Sequence, residues 1–202
     1  NKPNRSIVTR PQLQKFALWA VLAIPAALWL VQASRMDPYD WEELLHPSGE
    51  LSARLLIVAL ALTPLVQLFP QAQPLRWLIR HRRAIGVAAF GYAALHTGLY
   101  IGAMGNLDDI LAEALAIGIW PGWAAFALML PLALTSNDRS MRALRAGWKR
   151  LQRLAYPAAV LTLVHWLFIH NNRWTALAHF APLALLELWR LSRRFTPRKG
   201  LT

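Results

Sequence analysis

Six long apolar runs separated by short polar segments organise this chain, covering about 16–33, 51–69, 84–104, 117–135, 154–169 and 174–191. Each approaches the length of about 20 residues that a helix needs to cross a bilayer core. The pattern predicts an all-α fold: one domain over residues 1–202, a polytopic membrane helical bundle with six transmembrane helices. Pro25 interrupts the first run, which a bundle tolerates because neighbouring helices can satisfy the freed backbone. Thr63-Pro64 predicts a kink in the second.

The polar segments differ from one another. Asp37, Asp40, Glu42, Glu43 and Glu50 make the first an acidic outer loop, and Arg76, Arg80, Arg82 and Arg83 make the second a basic inner one. The third, 106–116, holds Asp108, Asp109 and Glu113 and predicts a short interfacial helix capped by Asn106 or Asp108. Residues 136–153 carry Arg139, Arg142, Arg145, Lys149, Arg150 and Arg153. They predict an amphipathic helix on the inner surface, capped by Ser136 or Asn137. A turn at Asn171, Asn172 and Arg173 precedes the last run.

Composition strengthens the membrane reading. The chain is 56% hydrophobic with ten Trp and a formal net charge of +12. Such a basic excess suits a nucleic-acid protein only if it forms a stripe on a soluble fold, whereas here it lies in blocks between apolar runs. Nucleic acid is therefore not an expected partner. All Lys and Arg except Arg35, Arg54 and Arg173 fall in the four segments on one side of the predicted bundle. That bias assigns both termini to the cytoplasm. The absence of cysteine excludes disulfides and thiolate metal sites. The first run reads as a span rather than a cleavable signal peptide.

Two histidines lie inside apolar runs, where an ionisable or ligating side chain is costly and so a functional candidate. His96 sits about 18 Å and His165 about 17 Å above the inner ends of the third and fifth spans, at about 1.5 Å per residue. Two imidazoles at one height on different helices suit bis-histidine haem ligation across a bundle. Tyr92, His96 and Tyr100 share a face, and Gly91 and Gly98 offer room for a flat macrocycle. Ala158 and Thr162 offer the same below His165. A lone buried histidine can instead bond across helices, and a pair can serve a proton path or a metal ion. No carboxylate is expected at their depth.

The other histidines carry less. His46 is expected to be solvated, His81 to serve the lipid headgroups, and His170 and His179 to pack at the outer interface. Glu187 is placed to pair with Arg190. Gly98 and Gly102 have the spacing of a helix-packing motif.

Several stretches together resemble one family. They are Arg82-Arg83-x-x-Gly86 with Ala94-Leu95-His96-x-x-x-Tyr100, Leu62-Thr63-Pro64-Leu65, Leu134-Thr135-Ser136, and Trp148-x-x-Leu151 to Tyr156 with His165-Trp166. This combination resembles the MsrQ (YedZ) family over nearly the whole chain, within the wider ferric-reductase-like transmembrane group. The resemblance implies a multi-pass protein of the bacterial inner membrane that binds haem b, one and at most two, with FMN as a further cofactor of the family. It implies electron transfer from the quinone pool or a cytosolic flavin reductase to a periplasmic molybdopterin methionine sulfoxide reductase, where catalysis resides. The family's haem histidines fall on His96 and His165. A third family position falls on Gln152, whose amide ligates iron poorly, and His81 lies at a similar depth. The rival readings are another quinol-linked cytochrome or ferric reductase, or a transport or structural bundle without haem. No Gly-rich dinucleotide fingerprint is present, so a flavin reductase must be a separate protein.

Overall fold

A computed structural model of the chain describes residues 10–169 and 173–195. The expectations for His170, Asn171, Asn172 and the extreme basic tails lie outside those residues. The described chain is helical: α1 Arg10–Ala33, a 3₁₀ turn Pro38–Trp41, α2 Glu42–Leu68, α3 Gln73–Met104 and α4 Leu107–Glu113. Then follow α5 Trp120–Leu134, α6 Asp138–Leu144, α7 Ala146–Gln152, α8 Ala155–Ile169 and α9 Arg173–Phe195. Three of these, α1, α2 and α3, are long and apolar enough to cross a membrane. At 15 residues α5 and α8 are shorter.

Two predicted loops are helix instead. The acidic segment from Glu42 to Gly49 forms the first turns of α2, and Arg76 to Arg83 form those of α3. Acidic side chains favour a helix N-terminus electrostatically, so Glu42 and Glu43 open α2 well. The fourth run starts late, because Pro121 sits at the first turn of α5, where its missing N–H costs nothing. The predicted basic helix over 136–153 divides into α6 and α7 at Arg145, which adopts a left-handed φ of 48°. Its cap is Asn137, whose side chain accepts from the Ser140 N–H, and Asn106 caps α4 through Asp109 N–H in the same way.

The prolines explain how α3 holds its neighbours. Beside Pro25, the Tyr92 hydroxyl enters the ladder of α1: it donates to the Leu22 carbonyl at 2.5 Å and accepts from the Ala26 N–H at 3.2 Å. Beside Pro64, Arg82 donates to the Ala59 carbonyl at 2.6 Å and to the Thr63 hydroxyl at 3.3 Å. A side chain thus supports each interrupted helix from α3. The main core joins Ala53, Leu56 and Leu60 of α2 to Ala89 of α3, Met129 of α5, Ala158 and Trp166 of α8, and Phe180 of α9. Alanines recur among the buried residues of this core, and such small side chains let backbones approach.

Candidate functional site

His96 on α3 and His165 on α8 face one another with ring centres 6.1 Å apart and planes at 77°. Both line one cavity of about 340 Å³ with Tyr100, Trp123, Phe126 and Thr162. The sequence places the two imidazoles at one depth; the helices bring them to one point.

Each ring is held from a third helix. His96 Nδ1 lies 2.9 Å from the Leu45 carbonyl of α2, and His165 Nδ1 lies 2.6 Å from the Gly118 carbonyl before α5. A carbonyl only accepts, so each Nδ1 carries the proton and each Nε2 is the nitrogen with a lone pair for a metal. Four residues after each carbonyl stands a glycine against the ring. A Cβ on Gly49 would lie 3.0 Å from His96 Nδ1, and one on Gly122 would lie 2.8 Å from His165 Nδ1. The two half-sites therefore follow one plan: a backbone carbonyl fixes tautomer and ring angle, and a glycine makes room for the ring. Ligating histidines are commonly oriented by such a second bond.

The arrangement suits an axially ligated group. Two in-line metal–imidazole bonds of about 2.0–2.1 Å put the nitrogens about 4 Å apart and the ring centres near 6 Å, as observed. Among the described residues, no group of three or more His, Cys, Asp or Glu side chains is gathered for a bare metal ion. The Tyr100 hydroxyl is buried without a hydrogen-bond partner among the described residues, beside a ring contact with Trp123. A carboxylate arm of a bound haem would supply what that donor lacks. The residues present therefore fit a haem.

Several sequence expectations are corrected. Gly91 and Gly98 line neither cavity, whereas Gly49 and Gly122 line the one that holds the two histidines. The space is made by Gly49 and Gly122 on other helices. Gly102 seats the Trp41 ring, not a neighbouring helix. Ala158 is buried in the main core, and only Thr162 of that pair lines the cavity. A carboxylate does accompany the histidines: Glu50 lines the same cavity, because α2 begins two turns before it. Arg54 neutralises it at 2.6 Å, while His46 and His179 stand 3.7 and 3.8 Å away. His46 is exposed as expected, yet it lies at the cavity rim and against Trp166. His179 packs on Trp166, with Nδ1 on the Thr175 carbonyl and Nε2 accepting from Arg54.

Gln152 and His81 lie elsewhere. Gln152 lines a second cavity at the other end of α3, α5 and α8, where its amide donates to the Leu132 carbonyl at 3.2 Å. His81 stacks on Trp77 at 4.4 Å, donates from Nδ1 to the Trp77 carbonyl, and lines neither cavity. Glu187 does pair with Arg190, at 3.2 Å.

Comparison with known proteins points to one family. Residues 48–163 match the family described as ferric reductase like transmembrane component, a stretch that contains His96 and ends two residues before His165. The chain is 35% identical, over 98% of its length and 93% of the relative's, to the protein-methionine-sulfoxide reductase heme-binding subunit MsrQ of Xanthomonas axonopodis pv. citri. The like-named protein of Xanthomonas euvesicatoria pv. vesicatoria is 38% identical over the same shares, and that of Caulobacter vibrioides 33% over 86% of the chain and 84% of the relative. No solved structure matches.

Proposed function

Since the chain belongs to the ferric-reductase-like transmembrane family, as an MsrQ-type heme-binding subunit of protein-methionine-sulfoxide reductase, we propose that His96 and His165 are the axial ligands of one haem b. The observation that carries this reading is the pair of imidazoles 6.1 Å apart, each fixed through Nδ1 by a carbonyl of another helix. A haem iron with two imidazole ligands exchanges single electrons and keeps no open position for oxygen or substrate. The chain is then an electron-transfer subunit, and reduction of the sulfoxide belongs to its partner.

The protein residues have defined tasks. Leu45 and Gly118 hold the imidazole protons on Nδ1, which raises the basicity of Nε2 and fixes both rings before any ligand binds. Gly49 and Gly122 admit the rings. Trp123, Phe126 and Trp166 keep water from the cavity, and Tyr100 offers its hydroxyl to a carboxylate. Arg54 neutralises Glu50, one of two carboxylates, with Glu42, that line the cavity.

Six spans with cytoplasmic termini, in a bacterial inner membrane, set this site in the outer half of the bilayer. From there electrons pass to a periplasmic molybdopterin methionine sulfoxide reductase. The quinone pool or a cytosolic flavin reductase supplies them at the inner side. The deciding experiment is a reduced-minus-oxidised spectrum and pyridine haemochrome count on the purified protein, His96→Ala and His165→Ala. One haem b per chain, lost in both variants, is expected. A colourless protein prepared with haem available, or an undiminished count in either variant, would overturn the assignment. FMN released on denaturing the same sample would add the family's second cofactor. The chain has no cysteine, so single cysteines at Asn106 and Ser136 report the topology: only the first should react with an impermeant maleimide from the periplasm.

A further inference from the structure

The second cavity, about 1100 Å³, is far larger than the histidine site and chemically unlike it. Its cationic wall is Arg80, Arg82, Arg83, Lys149, Arg153 and Arg190, against a single carboxylate, Glu187. Three of these cations already have structural tasks. Arg82 holds the Ala59 carbonyl, Arg83 reaches Asp138 at 2.5 Å, and Arg190 is shared by Glu187 and the Tyr156 hydroxyl. Arg80, Lys149 and Arg153 have no side-chain hydrogen bond or ion pair among the described residues. They come from α3, from α7 and from the junction before α8, yet they line one space. All three are exposed, so water and salt screen their mutual repulsion, and an anion placed among them would add a favourable charge contact.

The cavity floor says which anion. Beneath the cations lie Leu56, Leu60, Phe90 and Met129, an apolar surface that a bare phosphate or sulfate would leave uncovered. At the rim Trp148 donates from its indole nitrogen to the Thr135 carbonyl at 3.0 Å, an orientation suited to the headgroup level of a bilayer. Basic pockets between membrane helices are suited to anionic lipid headgroups, and arginine pairs with phosphate through two parallel bonds. We propose that this cavity binds an anionic phospholipid, its phosphate among Arg80, Lys149 and Arg153 and its acyl chains over the apolar floor. A soluble phosphate ester shares the headgroup chemistry but leaves the floor bare. The proposal does not depend on the haem assignment, since the two cavities meet only at Met129.

The test uses the full chain, delipidated in detergent and offered equal amounts of phosphatidylglycerol and phosphatidylcholine, with retained lipid read by native mass spectrometry. One phosphatidylglycerol per chain is expected, preferred about tenfold or more over phosphatidylcholine. The triple variant R80Q/K149Q/R153Q should lose the preference. The variant R76Q/R139Q/R150Q removes the same charge from residues that do not line the cavity and should keep it. Equal retention of the two lipids by the unmutated protein, or a preference surviving the triple change, would overturn the proposal. Inorganic phosphate that raises the unfolding midpoint of the delipidated protein as much as phosphatidylglycerol does would also overturn it, by making the ligand a soluble anion. Should the triple variant lose its helical circular dichroism, the three single glutamine variants take its place, and an unchanged preference in all three is equally fatal.

Discussion

Helices α3, α5 and α8 build two cavities at their two ends, and the ends solve opposite problems. Around His96 and His165 every ring has a carbonyl behind it and a glycine beside it, so the side chains are fixed before any ligand arrives. Around Gln152 the space is three times larger, the cations Arg80, Lys149 and Arg153 make no ion pair among the described residues, and the amide is spent on the Leu132 carbonyl. Gln152 closes α7 thirteen positions before His165 on α8, so consecutive helices serve the two ends. The difference teaches that a ligand position is made less by the ligating residue than by what other helices place around it.

The sharpest way to break the contrast is to remove an imidazole. His96→Ala or His165→Ala should abolish haem retention, read by the pyridine haemochrome count. Next in size is Gly122→Ala, whose Cβ would stand 2.8 Å from His165 Nδ1 and drive the ring off the Gly118 carbonyl. Loss of such an orienting bond costs about 10–100-fold in metal affinity, measurable by haem titration. Gly49→Ala meets His96 at 3.0 Å and should cost less, while Gly91→Ala and Gly98→Ala, which do not line the histidine cavity, should leave affinity unchanged.

Gln152→His tests the other end by addition. The new imidazole would find no second one lining its cavity, since His81 is turned to Trp77, so the haem count should stay at one. A rise to two would show that the surroundings, and not the ligand, had been complete. The smallest effect concerns the exposed bridge between Arg83 and Asp138. The Arg83 guanidinium, by hydrogen bond and charge, holds the Asp138 carboxyl below its ordinary range. A folded-state value below the unfolded one stabilises at neutral pH, and this is lost as pH falls through the folded value. Unfolding midpoints of the unmutated protein and Asp138→Asn should differ slightly at pH 7 and converge in acid.

Much of this was legible in the sequence, and the illegible part has one cause. Hydrophobic runs fix where helices cross and how high a residue sits, so His96 and His165 could be matched in depth from numbering alone. Numbering does not say which way a helix is turned. Gly91 and Gly98 share a helix with His96 and were natural candidates for the space around it, whereas Gly49 and Gly122 do that work from across the bundle. Gly118 and Gly122 have the same four-residue spacing as Gly98 and Gly102, so spacing alone could not single them out. Helix starts were misjudged for another reason: charged residues read as loop, yet Glu42 to Gly49 and Arg76 to Arg83 continue helices beyond the apolar runs. That is why Glu50 reaches the histidine cavity.

The Tyr92 hydroxyl that bridges Leu22 and Ala26 sets a schedule for assembly. Synthesis proceeds from the N-terminus, so α1 exists as a completed segment while residue 92 is still to be made. During that interval the rung beside Pro25 lacks its bridging hydroxyl, in a helix that keeps large apolar side chains such as Phe16, Val21 and Leu28 exposed. The first helix therefore waits, unfinished, for the third to arrive and close it.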